Sequence, residues 1–226
     1  MEFSNKSIFL VFGLKRELEI FSPSKKFTSL FGFGKKSSLL LKRFITKDTK
    51  VIINLGFCGS IDKKIKCGEI FEAELVFNEK KEKIKPIKYN HLELEERIQN
   101  LCLRKANLMT TNSIKNLSEK IKLRKKSSHI SLIDMEAFHI VKALENKKIS
   151  FYSIKIVYDD LFLEIPEYII NNLDKDGDLP INWTFIKNLI VKPNRIFELI
   201  RLGLNFHFCK KKFKKFLDKL FSKKFD

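Results

Sequence analysis

Three acidic residues of this chain stand where acid–base chemistry needs them, beside glycines or at the ends of apolar runs. Glu17 closes GLKRE at 13–17, Glu136 lies in DMEA at 134–137, and Asp159 ends the run FYSIKIVY. The glycine-bearing segments GFG at 32–34 and NLGFCGS at 54–60 end two further apolar runs. Gly32, Gly34 and Gly56 let backbone amides approach an anion closely, and Lys15 and Arg16 stand beside Glu17. Open α/β sheets bind ligands just beyond the carboxyl ends of their strands. Acids and glycines gathered at several such ends predict one small-molecule active site. Glu136, at the first turn of a helix, is expected to be ionised because free backbone N–H groups point at it. Cys58 sits in the second glycine segment with no histidine near it, so it reads as a small buried thiol. The four histidines form no HxxH or HExxH pattern, and Cys58, Cys67, Cys102 and Cys209 show no CxxC spacing. No metal site is expected.

These residues need strands and helices to position them. Ile8–Phe12 is an apolar run closed by Gly13 and reads as a buried strand, with a helix from Lys15. Further strands are expected over Phe27–Phe33, Val51–Leu55, Ile70–Phe77, Ser131–Ile133 and Phe151–Val157. Leu39, Leu40 and Leu41 begin one helical face, and Ala137, Ile140, Val141 and Leu144 form another. The highly charged stretch Asn78–Arg97, which contains Pro86, reads as a loop. Pro166, Pro180 and Pro193 divide the remainder into short helices. Strands alternating with helical patterns imply a largely parallel sheet with helices on both faces.

A chain of 226 residues with 44% apolar content can fill one core. No apolar run reaches the roughly 18–20 residues that span a bilayer. The start, MEFSNKSIFLVFG, lacks a basic leader and reads as a first strand. A reduced, cytoplasmic protein is expected. The net charge of +18 would attract anionic partners, yet a chain rich in Lys, Ile, Asn and Phe together is also what an AT-biased genome produces. The charge is uneven: residues 192–226 hold eleven Lys or Arg against three acids. There Phe206, Cys209, Phe213, Phe216, Leu217 and Leu220 share one helical face, with Lys210, Lys211, Lys212, Lys214 and Lys215 covering the rest. Residues 1–190 are expected to form the catalytic domain and 191–226 a basic amphipathic tail. That tail either contacts a membrane surface peripherally or docks on the core as an ordinary terminal helix. No nucleic-acid motif accompanies it.

GLKRE, GFG, NLGFCGS, DMEA and IKIVYDD at 154–160 follow one another as they do in the purine nucleoside phosphorylase/nucleosidase superfamily. The chain resembles the methylthioadenosine/S-adenosylhomocysteine nucleosidases. It resembles the hopanoid-associated phosphorylases still more, through GLKRE, LEIPEYIINNLDKDGDLPI and KPNRIFELIRL. The similarity covers most of the chain, with Asn78–Leu108 poorly matched. It implies a three-layer αβα fold around a mixed, largely parallel sheet, and a homo-oligomer. It also implies roles. Glu136 would bind the ribose hydroxyls, Met135 would pack on the sugar, and Gly56 and Phe57 would line the substrate site. Asp159 would protonate N7 of the departing purine, with Asp160 as the neighbouring alternative. Glu17 would be the general base towards water. If phosphate were the co-substrate in place of water, Arg16, Gly32 and Gly34 would hold it; no other cofactor is implied. Two departures stand out: Tyr158 replaces the usual Ser before the aspartate, and Phe57 stands where many phosphorylases carry Ser or Thr. The second favours hydrolysis over phosphorolysis. The implied reaction is adenine release from an adenosine-like nucleoside, with adenosylhopane as the lipid-linked substrate. The alternatives are a methylthioadenosine/S-adenosylhomocysteine nucleosidase, or a non-catalytic member binding a nucleoside or nucleic acid.

Overall fold

In the strand Ile8–Phe12 (β1) every side chain is buried, but successive ones enter different cores. Phe9 and Val11 join one hydrophobic cluster, while Ile8, Leu10 and Phe12 join another. A strand covered by helices on both faces has this pattern. The computed structural model describes residues 7–21, 27–90, 93–163, 165–174, 179–180 and 183–221. After β1 come α1 (Lys15–Phe21), β2 (Thr28–Phe31), α2 (Lys35–Phe44), β3 (Val51–Ser60), β4 (Ile70–Asn78), β5 (Lys83–Ile84) and α3 (Glu93–Asn100). They are followed by β6 (Arg104–Thr110), α4 (Leu117–Lys126), β7 (Leu132–Asp134), α5 (Ala137–Ala143) and β8 (Ser150–Asp159). The last helices are α6 (Glu167–Ile170), α7 (Trp183–Val191) and α8 (Asn194–Phe221).

The strands form one mixed sheet. β1 lies parallel between β2 and β3, and β3 lies parallel to β8. β8 runs antiparallel to β4, which is parallel to β6, which is parallel to β7. The far end of β3 then meets β7 antiparallel, Gly59 opposite Ile133 and Ser60 opposite Leu132. The strands β3, β8, β4, β6 and β7 close into a ring, with β1 and β2 extending it. Leu41 of α2 and Phe138, Ile140 and Val141 of α5 seal one core. Ile20 of α1, Leu94 and Ile98 of α3, and Phe213 and Leu217 of α8 seal the other. This is the expected αβα arrangement around a mixed, largely parallel sheet.

Several sequence expectations change. The strand expected to stop at Leu55 runs on through the glycine segment to Ser60, with a register shift between Cys58 and Gly59 where it leaves β8 for β7. Asn78–Arg97 is not wholly loop: it holds β5 and the start of α3, whose Leu94, Glu95 and Ile98 are buried. Pro193 does separate the nine-residue α7 from the next helix, but that helix is a single one of 28 residues and not short. In that helix Cys209, Phe213, Phe216, Leu217 and Leu220 are buried against the core, so the face expected to reach a membrane is occupied by protein. Residues 222–226 of the expected tail, and Glu164, 175–178 and 181 of the LEIPEYIINNLDKDGDLPI match, lie outside the described residues, as does 182. Among the described residues no helix is long and apolar enough to cross a membrane.

Candidate active site

The first turn of α1 brings Glu17 back over the end of β1. Its carboxylate accepts hydrogen bonds from the amides of Gly13 (2.8 Å), Leu14 (2.9 Å) and Phe57 (2.6 Å). This close approach depends on Gly56, where an added Cβ would lie 2.6 Å from a carboxylate oxygen of Glu17. Gly59 makes the same kind of room for Asp159, at 2.9 Å. Glu136 precedes α5, and its Oε1 accepts from the Gly34 amide at 3.1 Å. All three acids are buried and line one pocket of about 390 Å³. Met135, Phe57 and Arg16 line it as well.

Two lysines organise these charges. Lys155 of β8, 1% exposed, places its ammonium 3.0 Å from Asp134 Oδ2 and 3.7 Å from Glu136 Oε2. Lys120 of α4, 2% exposed, donates to Asp159 Oδ2 at 2.5 Å and to the Asp159 carbonyl at 3.0 Å. A buried charge without a partner is costly, so each lysine fixes the carboxylates around it. Burial pulls the Lys155 ammonium down, but Asp134, Glu136 and Glu17 outweigh it and leave its pKa above the ordinary lysine value. Burial pushes the Glu136 carboxyl up to about 8, opposed by Lys155. It raises Glu17 too, against Lys155 and the three amides, and raises Asp159 against Lys120. The expectation that helix amides keep Glu136 ionised is not met. Its side chain makes no cap hydrogen bond, and the Ala137 amide donates to Asp134 Oδ2 instead.

Asp160 is removed from the pocket by its own bonds. It accepts from the amides of Phe162, Leu163 and Cys67, which makes it a turn former. Gly32 and Gly34 lie near the site, but their amides already donate, to the Phe12 carbonyl and to Glu136 respectively. Cys58 is buried beside the acids, and burial pushes its thiol well up. The two departures noted in the sequence meet each other: Phe57 and Tyr158 pack ring to ring at 5.7 Å, and Phe206 of α8 contacts both. Together they turn the pocket from polar to apolar. Beyond them Ile165, Ile169, Leu173, Leu199 and Leu202 line an apolar arm.

Compared by sequence, the chain matches no protein-family model and no curated protein. Solved structures do resemble it. A methylthioadenosine/S-adenosylhomocysteine nucleosidase from Neisseria meningitidis, in complex with methylthio-immucillin-A, superposes with a TM-score of 0.63 at 11% identity over 95% of this chain and 98% of that one. A putative nucleosidase of the same name from Borrelia burgdorferi, bound to adenine, gives 0.60 at 16% over 86% and 99%. Futalosine hydrolase of Helicobacter pylori gives 0.59 at 11% over 96% and 97%. The fold is that of the nucleosidases. On this nucleosidase fold, Lys120 and Lys155 are the site residues that sequence reasoning missed. Lys155 carried a signal: a lone charge in a strand of otherwise apolar and small residues must meet buried acids. Lys120 carried none, lying in the lysine-rich run SEKIKLRKK.

Proposed function

We propose that the protein hydrolyses the N-glycosidic bond of an adenosine-like nucleoside and releases adenine. The observation that carries this reading is the convergence of three buried carboxylates, Glu17, Glu136 and Asp159, on one pocket that is polar at one end and apolar at the other. The adenine and the methylthio-immucillin-A bound by proteins of the same fold support it. Glu17, oriented by three amides, takes a proton from water as the water oxygen bonds to C1′ of the ribose. The bond from C1′ to the purine breaks, its electron pair passes to the base, and Asp159 supplies the proton that lets adenine leave neutral. Glu136 accepts from the ribose hydroxyls through its carboxyl oxygens and so fixes the sugar beside Glu17. Burial favours the protonated Asp159 that the reaction needs, and Lys120 keeps the carboxyl aimed.

Hydrolysis is favoured over phosphorolysis because the Gly32 and Gly34 amides already have partners and Phe57 offers no hydroxyl. The apolar arm suits a large hydrocarbon 5′ substituent, and within this reading a lipid-linked nucleoside such as adenosylhopane is the finer substrate. Methylthioadenosine or S-adenosylhomocysteine is the second reading, favoured by the names of the proteins sharing the fold. Adenine release from adenosine, methylthioadenosine, S-adenosylhomocysteine and a 5′-alkyl adenosine, with and without phosphate in labelled water, tests all of this. The expected result is phosphate-independent release, labelled oxygen on C1 of the sugar, and preference for the longest 5′ group. Strict phosphate dependence with a sugar 1-phosphate product overturns hydrolysis; no release from any of them overturns the enzyme reading.

A further inference from the structure

The helix α8 has two apolar faces, and among the described residues protein buries only one. Leu202, Cys209, Phe213, Phe216, Leu217 and Leu220 point inward and are buried. On the opposite side Phe197, Ile200, Leu204 and Phe208 recur at three- and four-residue spacing, which aligns them in one stripe. They are exposed, Phe197 at 73% and Leu204 at 67%, as are Ile190 and Val191 at the end of α7. Isolated exposed apolar residues are ordinary, but a contiguous stripe marks an interaction surface. The next turns of the same outward face carry Lys211 and Lys215, with Lys210, Lys212 and Lys214 beside them, all exposed. Lys212 joins the two halves, its ammonium 4.6 Å from the ring centre of Phe208. Asp218 is the one acid against six lysines in residues 209–221.

We propose that this outward face docks the protein on a bilayer containing anionic phospholipid. Phe197, Ile200 and Leu204 enter the boundary between headgroups and acyl chains, and the lysines beyond residue 209 meet lipid phosphates. An apolar stripe running into a lysine cluster matches a surface where hydrocarbon and phosphate lie side by side. A second copy of a chain with net charge +18 repels those lysines on balance, whereas an anionic bilayer attracts them. The same turns of α8 send Leu199, Leu202 and Phe206 into the pocket wall, so bilayer and pocket share one helix.

Co-sedimentation of the full chain with phosphatidylcholine vesicles, and with the same vesicles containing phosphatidylglycerol, tests the proposal without any turnover. Its failure is therefore separate from failure of the proposed reaction. Binding to the anionic vesicles is expected to be at least about tenfold tighter and to weaken with salt. The pair F197D/L204D and the pair K211E/K215E should each lose binding about tenfold. Neither pair lines the pocket, so melting temperature and adenosine cleavage should be unchanged. Equal binding to neutral and anionic vesicles, no binding to either, or full binding by F197D/L204D overturns the proposal. A two-chain mass at sedimentation equilibrium that falls to one chain in F197D/L204D also overturns it, and assigns the face to a second copy.

Discussion

The two ends of the pocket are built by different means. At the polar end, acids rise from the ends of β1, β7 and β8, each held by backbone amides or a buried lysine to within hydrogen-bond distance. At the apolar end, the wall comes from α6 and α8 and from the segments around them, through side chains that touch by shape alone. A hydrogen-bonded carboxylate has one productive position, whereas an aliphatic wall has many equivalent compositions. Changes at the polar end should therefore act on the chemical step, and changes at the apolar end on which substrate is bound.

The largest effect should come from the acid. Asp159→Asn is expected to lower kcat for adenine release by roughly 10²–10⁴ with little change in KM, since the amide keeps the shape and cannot give the proton. A variant that keeps near-normal turnover would remove Asp159 from its role.

Lys120→Met should be next. Removing the ammonium that orients Asp159 is expected to cost on the order of tenfold in kcat near neutral pH. It should also move the pH profile in a defined direction. Burial raises the Asp159 pKa and Lys120 opposes that rise, so without Lys120 the acid stays protonated to higher pH. The alkaline fall in kcat should shift upward. An unmoved alkaline limb would make Lys120 a structural contact only.

The same division explains what could be read from the sequence. Glu17, Glu136 and Asp159 were legible because each stands next to a glycine or an apolar run whose period marks a strand end. Gly56 and Gly59 were legible as glycines, though the strand runs through them instead of stopping, because β3 changes partner from β8 to β7 at that point. The apolar arm was not legible. Leu199 and Leu202 look like any amphipathic helix until the fold places them over Phe57 and Tyr158. The tail showed one apolar face in the lysine-rich half and hid the second, which lies upstream where lysines are few. Asn78–Arg97 reads as a loop because its charges mask Leu94, which with Ile98 four residues on suffices to dock α3.

At the apolar end, Leu199→Ala should raise KM for a long 5′-alkyl adenosine by about tenfold while leaving adenosine turnover unchanged, the scale expected for trimming a hydrophobic pocket. Equal losses on both substrates would show that the arm does not hold the 5′ group.

The smallest effect concerns stability. Glu136 carries a folded-state pKa of about 8 against an ordinary value of 4.5, so it keeps its proton where the unfolded chain has lost it. Its contribution is full below the unfolded value and disappears as pH rises through about 8. Glu17 and Asp159, also raised, act in the same direction. Lys155 is raised as well, but its contribution is lost only at far higher pH and does not enter this window. The melting temperature should fall between pH 5.5 and 9, in steps of about one pH unit, and Glu136→Gln should flatten that fall without abolishing it. An identical slope in the variant would show that Glu136 is ionised throughout.

The ring of strands bears on how the chain reaches this state. β3 and β8 pair along nearly their whole length although roughly a hundred residues separate them, and such distant pairings form slowly because loop closure precedes any reward. Until β8 inserts between β3 and β4, Asp159 has no neighbour in Gly59 and Lys155 has none in Asp134. Any partly folded species lacking that strand has no assembled site, and the edges of β3 and β4 are open to pairing with other chains. Recovery of activity after denaturation should therefore trail recovery of helix, and the yield should fall as protein concentration rises.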